Sequence, residues 1–218
     1  MDVRAKASAV CNIFIAVMTA AAFIMMVVGW GNALGTFSEA GLRALKYFTV
    51  LSNLFSGIVS VVFAIALIRS RGKVSRGFYI LKLTATVAVA VTFFTVVVLF
   101  EIIFGLRGMF VGANLWFHLV LPLVAMIEFC AFDIAAHLRL RETLFALLFV
   151  AVYGIGYYAN IIANGVGEWP DTNDWYGFLS FGGLESAPIV FVLMLALTWL
   201  IALVVWGINR SVARVAAR

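Results

Sequence analysis

Between Lys46 and Arg69 the chain runs for 22 residues without a charge, yet Thr49, Ser52, Asn53, Ser56 and Ser60 punctuate it. At 100° per residue these five fall within about 100° of one another on a helix. The opposite face carries Leu51, Leu54, Phe55, Ile58, Val61 and Val62. A bilayer needs about 20 apolar residues to be crossed, so the stretch is long enough. A soluble amphipathic helix would surround such a stripe with charges. Lipid offers the stripe no partners, so it must face other helices or a polar cavity.

The rest of the chain repeats the theme. Of its 218 residues 65% are hydrophobic and only 11% charged, with a mean hydropathy of +1.13. A soluble domain carries about 25% charged residues. Six apolar segments, at about 8–30, 45–68, 78–104, 114–136, 143–163 and 186–208, predict one all-α domain, a bundle of six membrane helices spanning residues 1–218. Arg4 and Lys6 look like the n-region of a signal peptide. The apolar run that follows is longer than the usual ~7–15 residues, so a retained span is expected.

The net charge of +5 belongs to orientation rather than to nucleic acid, for which no motif or aromatic-studded basic stripe is present. Of the 15 Lys and Arg, only Arg43, Lys46 and Arg107 fall in the first, third and fifth loops. The positive-inside rule then predicts cytoplasmic termini in a plasma-membrane type of bilayer, with the acidic loop 164–185 outside. Cys11 and Cys130 are too few for a disulfide framework or a metal site.

This orientation puts Thr49 and His118 each about four residues into a span that runs inward, roughly 6 Å deep at 1.5 Å per residue. A stripe on the fifth span, Tyr153, Tyr157, Asn160 and Asn164, ends at the same level. Histidine inside a bilayer segment is a functional candidate by default; the alternative is a ring that bridges two helices by hydrogen bonds. Pro122 lacks the N–H that would bond the His118 carbonyl, which favours a kink or a bound water there. A hydroxyl with a base in reach becomes a nucleophile. Asn53 or Asn114 could donate to an oxyanion, Ser52 stands beside Thr49 on the stripe, and Glu101 or Glu185 could orient the imidazole. Asp133 and His137, at i and i+4, suit a metal pair or a helix ion pair, and with no third ligand in view they read as the ion pair. Trp169 to Tyr176 reads as either an interfacial lid or a structural loop.

Lys46-Tyr47-Phe48-Thr49-Val50-Leu51-Ser52-Asn53, with Asn114-Leu115-Trp116-Phe117-His118 and Pro122, resembles the family of androgen-induced gene 1 protein and androgen-dependent TFPI-regulating protein. The resemblance implies a six-helix membrane fold throughout the chain. The family's animal members hydrolyse fatty acid esters of hydroxy fatty acids with a threonine nucleophile and a histidine. Those roles fall on Thr49 and His118. The expectation is therefore a hydrolase of membrane lipid esters that needs no cofactor and no metal. The alternative is a non-catalytic lipid-binding or transport protein.

Overall fold

The computed structural model describes residues 1–30, 41–103, 109–134, 138–168 and 171–217, the side chains of 99–103 and of Phe181 excepted. Within them the chain is helical and has no strand. Six helices are long and apolar enough to cross a membrane. They are α1 (Val3–Val27), α2 (Phe48–Arg69), α3 (Arg76–Val98), α4 (Ala113–Ala131), α5 (Leu140–Asn164) and α6 (Gly183–Ala216). The protein is a multi-pass membrane protein built as a helix bundle.

Several of these boundaries differ from the hydropathy reading, three of them for a reason visible in the structure. α4 ends at Ala131, five residues early, because Phe132 and Asp133 turn out of the helix. α5 starts as a 3₁₀ turn, Leu140–Ala146, whose Glu142 carboxylate accepts the Arg139 N–H and both arms of Arg76 at 2.7 Å. α6 continues to Ala216, well past the last apolar residue expected of it.

α3 is the central helix. Its membrane-length window is 67% buried, against 28% for α1 and 22% for α5 and α6. It packs against α2, α4, α5 and α6, while α1 packs on α2 and α4. Small residues set the closest approaches. A Cβ on Gly57 of α2 would lie 2.8 Å from Thr19 Cγ2 of α1, and one on Gly154 of α5 would lie 2.5 Å from the Phe191 ring of α6. Asp2, Arg4, Gly72, Ala213 and Ala217 line one vestibule, so both termini lie at the same end of the bundle. Cys11 and Cys130 are free thiols.

The two helices at the bundle centre are not regular. The residues after Phe93 and the turn Trp116–Val120 are π-helical. The second follows from Pro122, which cannot donate to the carbonyl four residues back at His118, so the ladder loosens just before it.

Candidate functional site

α2 begins abruptly. Tyr47 is extended (φ −82, ψ 135) and offers no side-chain cap. The first N–H of the helix, from Phe48, is instead donated to the Tyr176 hydroxyl at 2.8 Å. Thr49 therefore occupies the first turn. Threonines inside membrane helices usually bond a carbonyl one turn back, and at the second helical position the helix has no such turn. Among the described residues the Thr49 hydroxyl has no hydrogen-bond partner.

The stripe below it faces protein, as its polarity demanded. Ser52, Asn53, Ser56 and Ser60 are all buried. Ser52 Oγ donates to the Thr49 carbonyl at 3.1 Å and lies 3.0 Å from Thr92 Oγ1 on α3. Asn53 Nδ2 donates to the Thr49 carbonyl at 2.8 Å and to the Phe117 carbonyl on α4 at 3.0 Å. One amide thus ties Thr49 to the residue preceding His118, which puts the two at one level of the bundle. Both Asn53 protons are spent on this clamp, so none is left for an oxyanion, and Asn53 Oδ1 is buried without a donor.

His118 is buried in the π-helical turn, and its Nδ1 lies 2.8 Å from the Met109 carbonyl. A carbonyl only accepts, so Nδ1 carries the proton and, in the neutral ring, Nε2 is the basic nitrogen. Thr49 lines a cavity of about 330 Å³ between α2, α3, α5 and α6. Its wall is mainly apolar and aromatic, with Phe48, Tyr153, Tyr157, Tyr176 and Phe191 among it. Thr95 and Tyr158 also line it, and their hydroxyls are buried without partners. His118 does not line this cavity. It lies on the α4 side of α2, so the two side chains are linked by the Asn53 clamp and not by a shared wall.

The remaining candidates separate. Asn114 is buried at the start of α4, on the part that packs against α1, and makes no side-chain hydrogen bond among the described residues. Asn160 donates to Asn173 and accepts from Asn164, so the loop-side end of that stripe holds the loop rather than Thr49. Glu185 is exposed in the first turn of α6, away from any imidazole contact. The Glu101 side chain and His137 lie outside the described residues. Asp133 bonds Ser8 at 2.8 Å.

The loop 171–178 is folded onto the bundle. The buried Asp174 carboxylate accepts the Tyr157 hydroxyl and the N–H groups of Phe178 and Leu179, at 2.9 and 3.0 Å for the last two. Trp175 Nε1 donates to the Tyr153 hydroxyl at 3.2 Å, and that hydroxyl donates to the Lys46 carbonyl at 2.7 Å. Burial, then Tyr153 beside it, push the Tyr176 phenol well above its usual value, so it stays a neutral cap for Phe48. Tyr176, Thr92 and Thr95 were not singled out by sequence. Only the tyrosine left a trace there, as part of the aromatic run Trp175-Tyr176.

The fold and this site define a six-helix, multi-pass membrane protein with an apolar cavity beneath a docked loop. Compared with protein-family models, curated proteins and solved structures, the sequence finds no match.

Proposed function

We propose that the protein is a hydrolase of membrane lipid esters, with Thr49 as nucleophile and His118 as base. The observation that carries this reading is the partnerless Thr49 hydroxyl on the wall of an apolar cavity. At about 330 Å³ the cavity lies within the range of small-molecule sites, roughly 300–1,000 Å³, and it suits an acyl chain. The resemblance of the Thr49 and His118 segments to a lipid-ester hydrolase family supports it.

In this mechanism Thr49 Oγ1 attacks the ester carbonyl carbon and His118 Nε2 takes the hydroxyl proton. The N–H groups of Thr49 and Val50 in the first turn of α2, which lack acceptors within the helix, stabilise the oxyanion in place of Asn53, while that of Phe48 stays on Tyr176. The C–O bond to the alcohol breaks, and His118 returns the proton to the leaving oxygen. Water then attacks the acyl-threonine with His118 again as base, which frees the acid and restores Thr49. The scheme requires Nε2 to come within about 2.6–3.2 Å of Oγ1, or within one bridging water, when substrate is bound. The charge asymmetry of the loops supports cytoplasmic termini. Cysteines at Thr172 and Arg214 that label from the same side of intact cells would contradict that orientation.

A second reading, a lipid-binding or carrier protein, is favoured by the absence of His118 from the cavity wall. One experiment separates the two. Intact-mass analysis after a lipophilic fluorophosphonate should show one adduct, mapped to Thr49 and lost in Thr49→Ala. Ester release from lipid micelles should fall ~10²–10⁴-fold in His118→Ala. A wild type that neither labels nor hydrolyses any lipid ester tried, yet retains a bound acyl chain, establishes the binder.

A further inference from the structure

A second polar cluster lies at the terminal end of the bundle, remote from Thr49 along α2. Lys82 of α3 is 1% exposed, Glu128 of α4 0% and Asp133 3%. Lys82 Nζ donates to Asn12 Oδ1 of α1 at 2.5 Å and to Ser60 Oγ of α2 at 3.1 Å. It also lies 3.0 Å from Glu128 Oε2, off the hydrogen-bond axis but in full ion-pair contact. Glu128 Oε1 accepts Asn12 Nδ2 at 2.7 Å. Lys82 and Glu128 therefore neutralise each other, and Asp133 is left over.

Ser8 of α1 decides the state of the remainder. Its Oγ lies 2.8 Å from Glu128 Oε1 and 2.8 Å from Asp133 Oδ1. A hydroxyl has one proton and can donate to only one of two carboxylates. With both ionised, the other 2.8 Å contact would join two bare oxygens. Dry surroundings make an uncompensated second anion costly as well. Both difficulties vanish if Asp133 is a carboxylic acid that donates to Ser8, which in turn donates to Glu128. Asp133 Oδ2, the acid's remaining oxygen, is buried with no partner of its own. Ser8, Tyr79 and Asp133 also line the vestibule of about 220 Å³ that opens between the two termini.

We propose that Asp133 and Glu128, joined through Ser8, form a proton-binding site that holds one proton and exchanges it through this vestibule. Among the described residues, the titratable groups around it come from three helices and their caps. Asp2, Arg4 and Cys11 face it from α1, Tyr79 and Lys82 from α3, and Glu128 and Cys130 from α4. α2 contributes Ser60, and α6 contributes Asn209, whose Nδ2 donates to the Asp133 backbone carbonyl at 3.0 Å. Burial, then the Glu128 charge, hold the Asp133 carboxyl, two residues beyond the end of α4, well above the usual carboxylate range.

Infrared spectroscopy of the full chain in lipid nanodiscs tests this directly. At pH 7 the wild type should show the carbonyl stretch of one protonated carboxylic acid, shifting on transfer to D₂O. The band should vanish in Asp133→Asn, whose amide can still donate to Ser8, and persist in Glu185→Gln, which alters an exposed carboxylate. Should Asp133→Asn fail to fold, the wild type alone decides, because its band must fade as pH is raised. Below the ordinary Asp value of ~3.9 the proton adds nothing to unfolding's pH dependence. Above it the folded chain holds a proton the unfolded one has released, so the folding equilibrium weakens up to tenfold per pH unit until Asp133 ionises. Ala217→Trp, which narrows the vestibule, should slow the D₂O shift at least tenfold. No protonated band at pH 7, a band surviving Asp133→Asn, or exchange unaffected by Ala217→Trp would overturn the proposal.

Discussion

Replacing Lys82 with methionine keeps the length and apolar stem of the side chain and deletes the charge. Three acceptors then lose their donor or counterion: Asn12 Oδ1, Ser60 Oγ and Glu128 Oε2. Breaking a buried ion pair from one side costs about 3–5 kcal/mol, because the partner charge stays in place. The stranded Asn12 oxygen adds about 1–3 kcal/mol, while Ser60 can turn its hydroxyl elsewhere. Part of the loss is recovered if Glu128 takes up a proton. A net destabilisation of about 4 kcal/mol is expected, close to a thousandfold in the folding equilibrium at 1.4 kcal/mol per decade. Reversible unfolding in mixed dodecylmaltoside–SDS micelles, followed by tryptophan fluorescence, would measure it. The double variant Lys82→Met/Glu128→Gln has no stranded charge and should regain most of the loss, giving a large coupling energy. A single variant that costs under ~1 kcal/mol, or a double variant as unstable as the single, would refute the ion-pair account.

Two further perturbations test the close approaches. Gly57→Ala gains helix propensity but sets a methyl 2.8 Å from Thr19 Cγ2, so overpacking of about 1–3 kcal/mol should dominate. The same micelle titration should show the loss, relieved when Thr19→Ala is added. Gly154→Ala must displace the Phe191 ring on the cavity wall and should weaken binding of a fluorescent fatty-acyl ester about tenfold with folding retained. Unchanged binding would place the acyl chain elsewhere.

Hydropathy made the six spans legible because each is a long apolar run that carries few or no charges. The consequence of Pro122 was legible too, since a missing N–H has one address, the carbonyl of His118. The serine and asparagine stripe on α2 was correctly read as facing protein, but its partners were not, because Thr92 and the Phe117 carbonyl carry no sequence signal. Lys82 carried no signal of its own in the sequence. A single charge does not spoil the hydropathy of a span, and its burial follows only from Asn12, Ser60 and Glu128 on three other helices. Asp133 was paired with His137 by local spacing, whereas its bond to Ser8 spans 125 residues. Asn160 bonds Asn173 and Asn164 rather than Thr49, because how the loop between α5 and α6 would fold was not encoded in any periodicity.

The buried cluster also bears on how the chain enters the membrane during synthesis. A lysine at the centre of a helix opposes insertion by about 2.5–3.5 kcal/mol, and Lys82, in the second turn of α3, opposes it by somewhat less. When α3 emerges, Asn12 and Ser60 are already in the bilayer and can solvate its ammonium group, but Glu128 has not been made. At about 5–20 residues per second the carboxylate arrives roughly 2–10 s later. Until then α1, α2 and α3 hold an unpaired cation, so the nascent chain has reason to stay beside water or the insertion machinery. Arrival of α4 brings the neutralising charge and the Asn53–Phe117 contact together. The first four helices should thus leave the translocation site as a unit, with α5 and α6 added to a bundle whose buried lysine is already paired.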